Sequence, residues 1–159
     1  MNKNTPIKRH AALVPLSKDH HFGLLLSWKI RQGIKHQIET ERICRYIIYF
    51  FDQDLQHHFR EEESLLFEFF PEEEAIQQAV KEHGEIRRMV NDFRIQHTDK
   101  EALETFADLL ERHIRFEERT LFNRLQDLLT PEHISKLQSA ELFVRKDIDA
   151  EWNDHFWLT

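Results

Sequence analysis

Two ten-residue stretches carry side chains suited to metal chemistry, and they are near-copies of one another. The first is His58-Phe59-Arg60-Glu61-Glu62-Glu63-Ser64-Leu65-Leu66-Phe67. The second is His113-Ile114-Arg115-Phe116-Glu117-Glu118-Arg119-Thr120-Leu121-Phe122. Six of the ten aligned positions are identical at a constant offset of 55 residues, which reads as one structural unit used twice. Each copy sets a His four residues before a Glu, so on a helix the two stack about one turn apart on the same face. A neutral imidazole nitrogen and a carboxylate oxygen pointing the same way suit a divalent metal.

The elements that must position these groups are helices. Only three Gly and four Pro occur in 159 residues, with 40 % hydrophobic and 32 % charged side chains, the profile of one globular, helix-rich domain. The formal net charge of −7 speaks against a phosphate-binding surface and so against nucleic acid as a partner. Cys44 is the one cysteine, which excludes an intramolecular disulfide and a cysteine-held zinc or iron–sulfur site within one chain. The polar start, Met1 to His10, has no apolar signal region, and no run approaches a membrane span; a cytoplasmic protein is expected.

Residues 1–15 read as an N-terminal arm broken by Pro6 and Pro15. A first helix, capped by Ser17, is expected to about Gln37, with Leu16, His20, Leu24, Ser27 or Trp28, Arg31 and Ile34 inward. Thr40 caps a second helix ending at Pro71, with the stripe Ile43, Ile47, Phe50, Phe51, Asp54, His58, Glu62, Leu65 and Phe69. A third runs from about Glu72 to His97 through Ile76, Val80, His83, Ile86 or Arg87, Val90 and Phe93. Asp99 caps a fourth to Leu129, through Leu103, Phe106, Leu110, His113, Glu117, Thr120 or Leu121, and Leu128. Thr130-Pro131 starts a fifth helix, expected to run to about Asn153 and pack across the bundle. Residues 16–129 thus form an all-α, up-down-up-down antiparallel four-helix bundle, and residues 130–159 add a C-terminal helix and tail.

In such a bundle His20, His58, Glu62, His83, His113 and Glu117 converge, one His per helix with two carboxylates. Two unpaired buried carboxylates cost several kcal/mol each, so cations must compensate them, and metal binding follows. Adjacent duplicates leave His20 or His21, His57 or His58, and Glu61, Glu62 or Glu63; stripe and repeat together select His58 with Glu62 and His113 with Glu117. The remaining residues of Glu61–Glu63 read as solvated charge, like Glu72–Glu74. No His follows a Glu by three residues, so the pattern is not that of ferritin-like di-iron bundles. Asp54 is a candidate for supporting the site or a spare ligand, and Arg87 for supporting it by pairing with Asp54 or with one of the two glutamates, or else it reaches solvent.

Asp19-His20, His58-x-x-x-Glu62-Glu63, Glu82-His83 and His113-x-x-x-Glu117-Glu118 resemble the hemerythrin-like family, also called the HHE cation-binding domain, over residues 16–128. The resemblance implies two non-heme iron ions with an oxo or hydroxo bridge. Glu62 and Glu117 bridge, His20 and His58 terminate one iron, and His83 and His113 the other. Oxygen carriers of the family have a fifth His where this chain has Arg87, and an Asp one residue after Glu117 as bridge. The four-His, two-Glu pattern is similar instead to iron- and oxygen-sensing members. The reading favoured is a protein that binds or senses O₂, NO or iron. The alternatives are an enzyme reducing peroxide or NO or repairing iron centres, and a signalling module reporting metal occupancy. Lack of a cysteine-bearing N-terminal domain speaks against repair. Phe50, Phe51, Phe59, Phe106 and Phe116 are expected to limit water around the site. Trp152, Phe156 and Trp157 form either a contact patch, for a protein partner or a second copy, or an anchor folding the tail back.

Overall fold

The computed structural model describes residues 8–158; residues 1–7, with Pro6 of the expected arm, and Thr159 lie outside the described residues. Among the described residues there is no strand, and the chain is an all-α bundle of four long helices with a short fifth. The first helix is Val14–Lys35 and starts before the expected Ser17 cap. Pro15 lies in its first turn, where a missing N–H costs nothing. Ser17 does not cap; its hydroxyl donates to Glu118 across the bundle.

The second helix spans residues 40–66 and is interrupted twice. An α segment Thr40–Phe50 gives way to a π turn Phe51–Leu55, then α Gln56–Glu61, then a second π turn Glu62–Leu66. Glu39, not Thr40, occupies its N-cap position. A 3₁₀ turn, Phe67–Phe69, ends it before Pro71. The third helix is Glu74–Ile95. The fourth spans residues 100–128, with a π turn Glu117–Leu121 between α segments Lys100–Phe116 and Phe122–Leu128. Asp99 caps it by accepting the Ala102 N–H.

Thr130 caps the fifth helix, with His133 completing a reciprocal capping box, but this helix is only Pro131–Ser139. The expected continuation to Asn153 is overturned. Leu142 and Phe143 fall off the helical face that Leu137, Ile148 and Trp152 would share, so no single helix could bury them together. An extended strap, residues 140–147, instead leads to 3₁₀ turns at Ile148–Glu151 and Phe156–Leu158.

The first helix packs closely on the fourth because its inward face is small. A Cβ on Gly23 would lie 2.4 Å from Ile114 Cδ1, and the Ser27 hydroxyl donates to the Ala107 carbonyl at 3.1 Å. Gly33 likewise faces Ile43 and Phe156, which a Cβ would meet at 2.8 and 2.9 Å. The buried face is therefore Leu16, His20, Gly23, Leu26, Ser27, Ile30 and Gly33. That corrects the expected stripe after His20: Leu24 and Ile34 are partly covered, and Trp28 is 46 % exposed. On the third helix Ala79 is buried where Val80 was expected, and Val80 is exposed.

The apolar core comes in two pieces. One is built around Ile30, Ile47, Phe59, Val90, Phe106 and Leu110. The other is built around Leu16, Leu66, Phe67, Ile76, Phe122 and Leu125. A polar layer lies between them.

Candidate metal centre

Each long helix sends a histidine into that layer: His20, His58, His83 and His113. The second and fourth helices add Glu62 and Glu117 one turn further on. Two groups of four result, His20, His58, Glu62 and Glu117, and Glu62, His83, His113 and Glu117. Within each group one ligand-type atom per residue lies within 4.8 Å of the others. Both carboxylates belong to both groups, and none of the six residues is more than 4 % exposed. Of the duplicates, His21 is exposed, and His57 stacks on the Phe143 ring at 4.1 Å. Glu61 accepts the Phe143 backbone N–H, so it is not simply solvated.

The atoms aimed inward are the ones a cation would use. His58, His83 and His113 Nε2, both Glu62 oxygens and Glu117 Oε2 are buried without a hydrogen-bond partner. Buried polar atoms left unpaired in such number are costly, and a dicationic ligand set satisfies them together. The donor set, imidazole with carboxylate, suits iron, manganese or zinc. These residues fit a pair of divalent ions.

The outward nitrogen of every imidazole donates to a carboxylate from another helix. His20 Nδ1 donates to Glu118 at 2.7 Å, His58 to Asp19 at 3.3 Å, His83 to Glu63 at 2.7 Å and His113 to Glu82 at 2.8 Å. Such bonds orient the rings and raise the basicity of the inward Nε2, which is unpartnered on His58, His83 and His113 and lies 2.8 Å from Glu117 Oε1 on His20. Sequence reasoning missed this ring. Its signal was present: Asp19, Glu63, Glu82 and Glu118 are each the immediate neighbour of a residue in the layer.

Electrostatics inside the layer is balanced by proximity. Burial disfavours charge on His20 and His83, but the surrounding carboxylates win and hold both well above the usual imidazole range. For His58, burial is likewise outweighed, by Glu62 and Asp19, and its pKa is pushed up to about 9. His113 is raised against burial by Glu117 and Glu82. Burial and repulsion by Glu117 push the Glu62 pKa up, yet His58 and His20 hold it below the usual carboxylate range; burial pushes Glu117 up, yet His113, His20 and His83 hold it well below. Protons and metal ions compete for the same Nε2 atoms.

Local backbone explains how the glutamates reach the layer. Both Glu62 and Glu117 begin a π turn, a wider coil that often marks functional sites. The extra residue shifts the buried face that follows. Leu66 and Phe67, then Phe122 and Leu125, are inside in place of the expected Leu65, Phe69 and Leu128, and of the expected Thr120 or Leu121 it is Leu121 that is buried. Aromatic rings wall the layer: Phe59 stacks on His83 at 3.9 Å, with Phe67 at 5.9 Å, and Phe122 leans on His20 at 5.2 Å. Of the five phenylalanines expected there, Phe59 is the one in ring contact with a cluster histidine, and Phe50, Phe51 and Phe106 belong to the core beyond.

The two supporting candidates lie elsewhere than expected. Asp54 is buried but pairs with Arg145 of the strap, and Asp19 takes the place beside His58. Arg87 grips Glu63 with both guanidinium nitrogens at 2.9 Å and lies over the Phe59 ring. It therefore braces His83 through Glu63 rather than meeting Asp54 or a shared Glu. The aromatic tail folds back: Phe156 and Trp157 are buried, and Trp152 stacks on Tyr49 at 4.5 Å.

No curated protein and no solved structure matches the chain. The family model of the hemerythrin HHE cation-binding domain matches residues 22–125. The match opens just past His20, whose place in the layer rests on geometry. With four helices delivering four histidines and two shared glutamates to one buried layer, the chain belongs to the hemerythrin HHE cation-binding family, in a four-His, two-Glu form.

Proposed function

We propose that this chain is a non-heme di-iron protein that binds or senses O₂, NO or iron, acting in the cytoplasm. The observation that carries the reading is the pair of four-residue groups sharing both carboxylates. His20 and His58 would hold one ion and His83 and His113 the other, with Glu62 and Glu117 spanning both. Two ferrous ions held there would supply electrons and exchangeable positions for a diatomic ligand. The protein's own part is to orient, neutralise and enclose. The outer carboxylates aim the imidazoles, and the two glutamates offset the ionic charge. The rings of Phe59, Phe67 and Phe122, with a layer no more than 4 % exposed, favour a diatomic over a bulky substrate. No helix of the described residues is long and apolar enough to cross a membrane.

The test is metal content with an absorption spectrum, first reduced under anaerobic conditions and then exposed to O₂ or NO. Two irons per chain with bands that change reversibly support ligand binding. Two irons that oxidise once and stay oxidised point to sensing or turnover. A stably folded chain that takes up no metal would sink the reading.

A further inference from the structure

The ring of outer carboxylates is uneven. Three of its bonds to imidazole are 2.7–2.8 Å, and the fourth, Asp19 to His58, is 3.3 Å. The three short ones end on acids that a further donor steadies. Arg87 grips Glu63, Ser17 and Arg9 hold Glu118, and Gln78 reaches Glu82. Asp19 has no side-chain partner besides His58 among the described residues. All four imidazoles are buried, and Phe59 stacks flat on His83 alone. The turn that carries His58 also meets the strap, since the Phe143 ring stacks on His57 and its backbone N–H donates to Glu61.

An ion leaves a buried site when one of its imidazoles swings away, and the bond on the far nitrogen resists that swing. We infer that the two positions differ in lability: the ion between His20 and His58 exchanges, the ion between His83 and His113 is retained, and Asp19, a positioning residue acting through His58, sets the difference. This rests on the dinuclear reading above. It makes the His58 end the route of loading and loss.

The experiment loads the full chain with cobalt(II), adds excess chelator, and follows release by elemental analysis and cobalt absorption. Two phases of one ion each are expected. Asp19→Asn should speed the fast phase about tenfold and leave the slow phase within about twofold, whereas Glu82→Gln should speed the slow phase alone. Circular dichroism of each variant verifies that the helices remain. Release of both ions in one phase overturns the inference while leaving the dinuclear centre intact. So does an Asp19→Asn variant that leaves the fast phase unchanged or alters the slow one. A chain that takes up fewer than two cobalt ions overturns the dinuclear reading itself.

Discussion

Asp19, Glu63, Glu82 and Glu118 point none of their oxygens into the polar layer, yet they determine how its imidazoles face. Each is the sequence neighbour of a layer residue and serves a histidine on a different helix, so the four helices are tied crosswise. The six layer residues could be read from the doubled His-x-x-x-Glu and the lone mid-stripe histidines. The outer acids could not, because adjacency in sequence does not show which helix a side chain crosses to. Their cue was the doubling of the acid in both repeats, Glu62-Glu63 and Glu117-Glu118. At this scale His58→Ala should abolish uptake of the ion between His20 and His58, and Glu62→Ala should impair uptake of both ions, read by elemental analysis. His57→Ala should leave metal content unchanged, since His57 faces Phe143. Loss of metal in His57→Ala but not in His58→Ala would show that the second helix is turned the other way.

The π turns are what a stripe of every third or fourth residue cannot anticipate. An inserted residue advances the buried face, so Leu65, Phe69 and Leu128, expected inside beyond Glu62 and Glu117, are only partly covered and Leu66, Phe67, Phe122 and Leu125 are buried instead. The repeat itself held the correction: its identical Leu66-Phe67 and Leu121-Phe122 are the buried pairs. Deleting Ser64 to restore regular α geometry should rotate Leu66 and Phe67 by about 100° away from the core. Metal content and melting temperature should both fall; a deletion that melts like the parent would mean that the turn is incidental. The glycines of the first helix were the other silent positions, because close approach leaves no hydrophobic mark. Gly33→Ala gains about 1 kcal/mol in helix propensity but forces Ile43 and Phe156 aside, at about 1–3 kcal/mol. A net loss in denaturant titration is expected, with greater exposure of the tail tryptophans.

Across the whole molecule, the tail is fastened to a buried cation. Lys29 is 5 % exposed, donates to Tyr46 at 2.9 Å, pairs with Asp149 and lies over the Trp157 ring. Burial raises the Asp149 pKa, but Lys29 and Tyr46 outweigh it and bring it below its ordinary 3.8. A depressed carboxyl stabilises the fold above its unfolded value, and that contribution fades as pH falls through the lower folded value. Acid titration should therefore release the tail, seen as a change in tryptophan fluorescence below about pH 4, and Asp149→Asn should remove that step. The same variant should destabilise the chain at neutral pH by about 3 kcal/mol, because it strands a buried ammonium. Metal should act in the opposite sense. Removing it should lower the melting temperature, since each ion at a hundred times its dissociation constant contributes about 2.7 kcal/mol.

The division of the core into two apolar pieces bears on how long the protein lasts in a cell. With metal in the middle layer, opening one piece disturbs the ligands of the other, and the bundle should unfold as a unit. With the layer held by protons alone, each piece can open with less resistance from its neighbour. Proteases act on such openings, so the half-life of the chain should follow the supply of metal. Its concentration would then report metal history even where no dedicated partner reads the site.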